Sequence, residues 1–280
     1  MAVWRLTNTT LEFPPPRAAG IVNVTTDSFF AGARSETPSK AVDEGMRLVA
    51  GGFDLLDVGA VAARSGPPVE SAAEAALLIP AIQGLCARSG VPVLADTFSP
   101  VIAAQALDAG ASAINDIGGG SDEMLALVAE RGCGYVLMQI EGPPRIDRSA
   151  PSRGDPVEHL LGWFGERIAR AVELGVDPAQ IAIDPGFDFD LSTDDDLEVL
   201  RRLGELRALG HPLFVALSRK DFLGAVLAGS WERRAPAEER EAATIAATAL
   251  AVAAGAELLR LHDLSALDAL RTAAAIAVPT

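Results

Sequence analysis

Short apolar runs in this chain end on polar or charged side chains, and a helix-like stretch separates each run from the next. Runs such as residues 91–95 and 181–183 are apolar throughout, which is typical of parallel strands buried on both faces. The residues that follow these runs are Asn23, Asp96, Asn115, Asp116, Asp184, Ser218, Arg219, Lys220 and His262. In a barrel of parallel strands the carboxyl ends meet at one mouth, where active sites are built. The pattern therefore predicts a functional site at the strand ends.

The number and spacing of the runs predict an α/β fold, a (β/α)8 TIM barrel with an N-terminal β-hairpin, as one domain over residues 1–280. Strands are expected near residues 19–23, 53–58, 92–96, 112–116, 134–139, 181–184, 212–217 and 257–262, and helices near 38–51, 70–89, 100–109, 122–132, 156–175, 194–209, 238–255 and 264–276. Residues 3–13 are interpreted as the hairpin, which we expect to close the bottom of the barrel. An open doubly wound sheet is the alternative, but no Gly-x-Gly-x-x-Gly turn follows the first strand.

Composition argues against several classes of protein. The formal net charge of −15 at pH 7 disfavours binding to nucleic acid and to anionic membranes. We expect no signal peptide and no bilayer-spanning segment, because neither pattern is present. Cys86 and Cys133 lack metal-ligand spacing and are expected to be free thiols, which fits a cytoplasmic protein.

Three of the strand-end residues suit recognition of a flat, nitrogen-rich ring. Asp96 and Asp184 are costly to bury unless a partner satisfies them, and the N–H groups of such a ring would do so. Asn115 can donate and accept hydrogen bonds in the same plane. Strand-end capping is the structural alternative for each residue taken singly, but it explains the three together poorly.

Basic residues at the same strand ends indicate an anion beside that ring. The basic residues expected on the mouth side are Arg64, Lys220, Arg260 and His262, with Arg219 near them. Such cations bind a phosphate or diphosphate and stabilise the charge that leaves with it. Leu259 and Leu261 flank Arg260 in a strand, so we expect its side chain to point into the barrel and not to the helical surface. Asn23 can hold a hydrated Mg2+ through one oxygen, because Mg2+ keeps several waters.

Other polar clusters are interpreted as structural. The His-Asp pair at residues 262–263 is not assigned to a hydrolase triad, because no Gly-x-Ser-x-Gly elbow is present. The three aspartates at 194–196 are expected to open a helix, where they favour the helix dipole. His159 and His211 are expected in structural roles. The Ala-rich stretch 238–255 is interpreted as barrel packing, with a subunit interface as the alternative.

Three loops on the mouth side are rich in glycine, proline, serine and charge. They span residues 25–38, 60–68 and 140–153. Loops of this kind often close over a substrate, and solvent-exposed variable loops are the alternative for the last of them.

Seven segments, spread over nearly the whole chain, are specific in their order and spacing. They are Gly-Ile-Val-Asn-Val-Thr-Thr-Asp-Ser-Phe (20–29), Asp-Val-Gly (57–59), Ala-Asp-Thr (95–97), Gly-Ala-Ser-Ala-Ile-Asn-Asp-Ile-Gly-Gly (110–119), Asp-Pro-Gly (184–186), Leu-Ser-Arg-Lys-Asp-Phe-Leu-Gly (217–224) and Leu-Arg-Leu-His-Asp (259–263). In these segments the chain resembles the dihydropteroate synthases, which belong to the pterin-binding superfamily and act in folate biosynthesis.

This resemblance implies a reaction and roles for single residues. In the family, p-aminobenzoate displaces diphosphate from 6-hydroxymethyl-7,8-dihydropterin diphosphate to give 7,8-dihydropteroate. The implied roles are pterin binding for Asp96, Asn115, Met138, Asp184 and Lys220, diphosphate binding for Asn23, Arg64, Arg260 and His262, p-aminobenzoate binding for Arg64 and Ser218, magnesium binding for Asn23, and catalysis for Asp96, Lys220, Arg260 and His262. The resemblance also implies Mg2+ as a cofactor and a homodimer.

The chain departs from the family pattern around the expected p-aminobenzoate pocket. The usual Gly-Gly-Glu-Ser-Thr-Arg-Pro-Gly after strand two is Gly-Ala-Val-Ala-Ala-Arg-Ser-Gly at residues 59–66. The usual Met-His after strand five is Met-Gln at 138–139, and the usual Gly-Phe-Gly-Lys is Asp-Phe-Asp-Leu at 188–191. Sulfonamide-resistant synthases, which this chain resembles in places, also alter the strand-two loop. We therefore expect intact pterin and diphosphate sites and an altered second-substrate pocket.

Two other functions are compatible with the sequence. A non-catalytic paralogue would bind a pterin without turnover. A methyltetrahydrofolate-dependent methyltransferase of the same superfamily would have no use for diphosphate-binding cations such as Arg64 and Arg260.

Overall fold

The structure of the protein, a computed structural model, describes residues 2–24, 35, 37–62, 69–145 and 154–277. Strands β1 (Ala2–Arg5) and β2 (Thr10–Phe13) form an antiparallel hairpin. The strands that follow are β3 (Arg17–Asn23), β4 (Leu55–Gly59), β5 (Val93–Asp96), β6 (Ala113–Asp116), β7 (Gly134–Met138), β8 (Ile181–Asp184), β9 (Phe214–Val215) and β10 (Leu258–Leu261). The helices are α1 (Pro38–Gly51), α2 (Ser71–Arg88), α3 (Pro100–Asp108), α4 (Asp122–Arg131), α5 (Pro156–Glu173), α6 (Thr193–Arg201), α7 (Asp221–Ala228), α8 (Glu241–Ala253) and α9 (Leu264–Ala277).

Strands β3 to β10 form one parallel sheet that closes into a barrel. Neighbouring strands pair in the order β8-β7-β6-β5-β4-β3-β10-β9. A parallel bridge between Ile183 and Leu213, with an N–H···O bond of 2.9 Å from Ile183 to Pro212, joins the two ends of the sheet. The predicted TIM barrel is thus confirmed, and the alternative of an open sheet is wrong.

The hairpin closes the barrel at the amino ends of the strands, as the sequence predicts. Its side chains Trp4, Leu6 and Phe13 are buried against interior-facing residues of the strands. Those partners are Ala19, Leu55, Leu94, Ala113, Val136, Ala182, Phe214 and Leu258. The indole Nε1–H of Trp4 also donates to the carbonyl of Gln180 at 2.7 Å, just before β8. The lower barrel interior is therefore apolar and sealed.

Helices α1, α3, α4, α5 and α6 begin at a residue whose side chain caps the first turn. The Ser192 side chain accepts from the Asp195 N–H at the start of α6, and the aspartates at 194–196 fill its first turn, as expected. The predicted helix over 194–209 divides into α6 and a 3-10 helix over Leu203–Leu209. The sequence does not predict helix α7, because its first residues belong to the motif at residues 217–224 that follows a predicted strand.

None of the helices within the described ranges is long and apolar enough to cross a bilayer.

Strand residues that point outward pack beneath the helices in the larger apolar core. The alternate residues point inward, so every second position of a strand reaches the barrel interior. Above the apolar layer, this alternation brings charged side chains to the mouth.

Candidate active site

Four adjacent strands carry the predicted ring-binding residues to the mouth in order. Asp96 of β5 is the register partner of Asn115 on β6, and Met138 of β7 is the partner of Asp184 on β8. All four occupy inward-facing positions, and all are buried or nearly so. Gly59 on β4 stands beside Asp96, and a Cβ there would lie only 3.3 Å from the Asp96 Oδ2. Glycine therefore leaves room for the carboxylate.

Arg260 enters the barrel interior from β10, as the strand alternation predicts. Its Nη2 donates to Asp96 Oδ2 at 2.7 Å, and its Nε donates to Asp57 Oδ2. The Asn115 Nδ2 donates to the same Asp57 oxygen at 3.1 Å. Two carboxylates, one guanidinium and one amide thus form a single network across the barrel.

An apolar wall lies next to this network. Met138 packs with Ile117 and Ile140, and the partly buried rings of Phe98 and Phe189 cover them. The Lys220 Nζ lies 4.6 Å from the centre of the Phe189 ring and donates to the Phe187 carbonyl at 2.8 Å. An apolar wall beside planar acceptors is suited to a flat heterocycle.

Burial controls the charge of the two predicted ring-binding acids. Burial raises the pKa of Asp96 to about 7. The Arg260 guanidinium lowers this pKa, whereas the negative charges of Asp57 and Glu74 raise it. Burial also raises the pKa of Asp184 to about 6. The Gly186 N–H, which donates to Asp184 Oδ1 at 2.9 Å, lowers this pKa in part. Ligand N–H groups would favour the ionised form of both carboxylates.

His262 and Ser218 contact each other at the opposite side of the mouth. The His262 Nδ1 lies 2.9 Å from the Ser218 Oγ, which also accepts from the His262 backbone N–H at 3.3 Å. Burial, followed by the charges of Arg260, Arg219 and Lys220, lowers the pKa of His262 to about 3. The imidazole is therefore neutral at pH 7. The prediction that His262 is one of the cations is wrong for the ligand-free protein.

Arg219 lies near the other cations, as expected, and its charge acts on His262, but its guanidinium is engaged in structural contacts. Its guanidinium is buried, pairs with Asp263 Oδ2 at 2.7 Å and donates to the Ala237 carbonyl at 2.9 Å. It holds the start of α7 against α8, where its N–H donates to Thr244 Oγ1 at 2.9 Å. Arg64 lies outside the described residues, so the basic groups of the described mouth are Lys220 and Arg260.

Most of each expected mouth loop also lies outside the described residues, namely 25–34, 36, 63–68 and 146–153. What is described shows one link between two of the loops. The Arg145 Nη1 donates to the Ala62 carbonyl at 2.6 Å, which connects the segment after β7 to the segment after β4.

Asn23 ends β3 at an inward-facing position, as the magnesium prediction requires. Its amide oxygen is a hard donor, and its side chain makes no hydrogen bond to the described residues. Those residues contain no cluster of three or more acidic, His or Cys side chains that could hold a metal ion. A single amide oxygen fits Mg2+ that takes its other ligands from water and diphosphate, because this ion needs few protein ligands.

Several residues near the site had no role predicted from the sequence. Asp57 belongs to the Asp-Val-Gly motif at residues 57–59, and its only sequence signal is a charge within an apolar run. The buried Glu74 accepts from Thr97 Oγ1 at 2.7 Å, and burial raises its pKa. Asp188, at φ +68°, accepts from the Phe222 N–H at 2.8 Å at the start of α7.

Other strand-end and lone polar residues are structural. Asp116 faces outward and accepts from the Tyr135 hydroxyl and the Gly118 N–H, both at 2.7 Å. The His211 Nδ1 lies 3.2 Å from the Ile181 carbonyl, and His159 pairs with Glu141. These contacts agree with the structural interpretation of the two histidines.

Comparison with known proteins agrees with this geometry. The model of the family described as pterin binding enzyme matches residues 19–262. The chain belongs to the pterin-binding enzyme family. The dihydropteroate synthase of Mycobacterium leprae is 36% identical over 274 residues, which cover 95% of each chain.

Two crystal structures of pterin-binding enzymes are similar over their whole length. The dihydropteroate synthase from Stenotrophomonas maltophilia with active site-bound imidazole has a TM-score of 0.88 at 36% identity, and the alignment covers 100% of both chains. The dihydropteroate synthase from Xanthomonas albilineans in complex with 7,8-dihydropteroate has a TM-score of 0.84 at 35% identity, again over 100% of both chains. The similarity therefore extends to a structure that holds 7,8-dihydropteroate.

Proposed function

We propose that this protein is a dihydropteroate synthase, which condenses p-aminobenzoate with 6-hydroxymethyl-7,8-dihydropterin diphosphate and releases diphosphate. The observation that carries the proposal is the row Asp96, Asn115 and Asp184 at one barrel mouth, beside an apolar wall and Arg260. Similarity to dihydropteroate synthases over the whole chain supports the same reaction.

The proposed roles follow from the charges of the mouth. The carboxylates of Asp96 and Asp184 accept hydrogen bonds from ring N–H groups, and Met138 packs on the ring face. Arg260, Lys220, His262 and Arg64 bind or neutralise the leaving diphosphate. As the methylene C–O bond breaks, positive charge spreads into the pterin, and the buried Asp96 stabilises it. The amine of p-aminobenzoate, held near Ser218 and Arg64, then forms the C–N bond and loses a proton.

Mg2+ is proposed as the cofactor, held by the amide oxygen of Asn23. When bound, it would neutralise charge on the diphosphate and so make it a better leaving group. An Asn23→Ala variant should raise the Mg2+ concentration needed for half-maximal turnover by about tenfold. An unchanged Mg2+ dependence would remove Asn23 from this role.

The direct test is an assay with the pterin diphosphate, Mg2+ and p-aminobenzoate, in which diphosphate release and dihydropteroate formation are both measured. We expect both products in equal amounts. Absence of turnover, combined with calorimetric binding of a pterin analogue, would instead support the non-catalytic paralogue. Binding of methyltetrahydrofolate with weak binding of magnesium diphosphate would support the methyltransferase, which the similar proteins do not favour.

The changed strand-two sequence supports an atypical p-aminobenzoate pocket. In residues 59–66 the Ser and Thr of the usual motif are replaced by Ala62 and Ala63, and its proline by Ser65, so a sulfonamide that mimics p-aminobenzoate should bind weakly. Inhibition should require a much higher ratio of sulfonamide to p-aminobenzoate than in an ordinary synthase assayed alongside. Equal inhibition of the two enzymes would contradict the altered pocket.

We further propose a homodimer and a cytoplasmic location. Exposed apolar side chains on α7 and α8, namely Val226, Leu227 and Leu250, support a second copy as partner. Light scattering during gel filtration should give twice the mass of the 29.0 kDa chain, and a monomer throughout would oppose this. The free thiols of Cys86 and Cys133 support a reducing compartment, which cell fractionation would test.

A further inference from the structure

Asp57 is a fully buried carboxylate in the middle of β4, at an inward-facing position of the barrel. Its Oδ2 accepts from both the Arg260 Nε and the Asn115 Nδ2, while its Oδ1 finds no partner among the described residues. Arg260 already pairs with Asp96, so charge balance alone does not require a second buried acid. Well-packed apolar residues often replace buried ion pairs without loss of stability, so an acid here points to a role beyond packing.

The first consequence concerns the orientation of the Asn115 amide. An ionised carboxylate only accepts hydrogen bonds, so the amide must turn its NH2 group towards Asp57. The amide oxygen then faces away from Asp57, and this buried atom has no partner within the described residues. Asn115 is thereby fixed as an acceptor for a ligand N–H group, in line with the neighbouring Asp96.

The second consequence concerns the guanidinium of Arg260. Asp57 engages its Nε and Asp96 engages its Nη2, so two of its three nitrogens are held. The third nitrogen, Nη1, donates to none of the described residues. A guanidinium held at two points presents its remaining N–H groups in a fixed direction, which favours recognition of an anion.

We propose that Asp57 is a positioning residue for the synthase reaction, one that sets the acceptor face of Asn115 and the direction of Arg260. The inference rests on the proposed function, because it assigns Asn115 to the pterin and Arg260 to the diphosphate. Asp57 also acts on Asp96 through its charge. The charged groups that face Asp96 are Arg260 of β10, Asp57 of β4, Glu74 of α2 and Lys220 before α7.

The test compares Asp57→Asn with the matched control Asp116→Asn. Asp116 is an equally buried carboxylate in the barrel wall, but it faces outward. We expect Asp57→Asn to raise KM for the pterin diphosphate by about tenfold or more. Its loss of negative charge should also lower the pKa of Asp96, so that the acidic limb of kcat/KM moves to lower pH. Asp116→Asn should leave the position of that limb unchanged.

A second variant, Asp57→Glu, separates charge from packing. It keeps the negative charge, so its acidic limb should stay at the wild-type pH although KM rises. A shift of the limb equal to that of Asp57→Asn would overturn the proposal, as would unchanged KM and pH profile in an active Asp57→Asn enzyme. If both Asp57 variants fail to fold while Asp116→Asn folds, the role of Asp57 is structural and the proposal is wrong.

The proposed function and the positioning role of Asp57 are tested by separate measurements. An inactive wild-type enzyme would contradict the proposed function. Calorimetry with a pterin analogue would still test Asp57, because the orientation of Asn115 governs ring binding without turnover. Equal affinity of wild type and Asp57→Asn for the analogue would then overturn the positioning role.

Discussion

The lower and upper halves of the barrel interior are built from opposite kinds of side chain. The lower half is an apolar layer in which Trp4 and Phe13 of the hairpin are buried against residues such as Leu94 and Phe214. The upper half, two residues further along the strands, contains the carboxylates and Arg260 of the site. Burial of apolar surface stabilises the fold, whereas burial of charge costs free energy unless it is paired. Stability and function are therefore separated along the barrel axis.

The largest effect should come from the hairpin. Trp4→Ala removes a fully buried indole and its hydrogen bond to Gln180, and we expect a loss of about 3–5 kcal/mol in the free energy of unfolding. Below the unfolding transition, kcat should stay within about twofold of wild type. Urea unfolding measures the loss of stability, and steady-state assays at low temperature measure kcat. A large fall in kcat in the folded variant would show that the two layers are coupled.

The converse change is Asp96→Asn in the upper half. It removes the carboxylate proposed to stabilise charge on the pterin, so kcat should fall by about 100- to 1000-fold. The matched control is Asp54→Asn at the other end of the barrel, where Asp54 accepts from the Ala18 N–H at 2.9 Å and pairs with Arg17. The control should lose stability and keep its kcat. Similar kcat values for the two variants would contradict the separation.

The pH dependence of stability should identify the upper half directly. Between about pH 4 and pH 7 the folded protein keeps a proton on Asp96 that the unfolded chain has lost, so this group lowers stability as pH rises. His262 acts in the opposite sense, because only the unfolded chain binds its proton between about pH 3 and pH 6.5.

Two variants should therefore move in opposite directions. Between about pH 4.5 and pH 7, the free energy of unfolding of Asp96→Asn should rise by about 3 kcal/mol relative to the change seen in wild type. That of His262→Gln should fall by a similar amount relative to wild type. Urea titrations at the two pH values measure this difference. A shift of the same sign in both variants would be inconsistent with the opposite proton balance.

The smallest effect is the coupling between layers. Trp4 donates to the Gln180 carbonyl and Asp184 accepts from the Gly186 N–H, so they share no hydrogen-bond partner among the described residues, and the double variant Trp4→Phe with Asp184→Asn should be additive. The coupling free energy should stay below about 0.5 kcal/mol in a double-mutant cycle. A larger value would reveal a path between the layers that the described contacts do not contain.

Much of the site follows from position in the strand alone. Asp96, Asn115 and Asp184 end apolar runs, and the convergence of parallel strands brings them to one mouth. Asp57 was missed because it lies two residues before its strand ends, where a search of strand ends does not look. Arg219 comes an odd number of positions after the inward-facing Phe214, so alternation directs its side chain out of the barrel, a distinction that a search of strand ends does not make.

The sequence by itself determined the barrel, the closing hairpin and the family, because hydrophobic periodicity and the seven motifs are local signals. Only the tertiary structure decided which groups share hydrogen bonds and protons. Arg260 meets Asp57 and Asp96 from strands that are 203 and 164 residues away, and the neutrality of His262 depends on burial by several elements at once. Such effects arise from distance and desolvation in three dimensions, which no local pattern encodes.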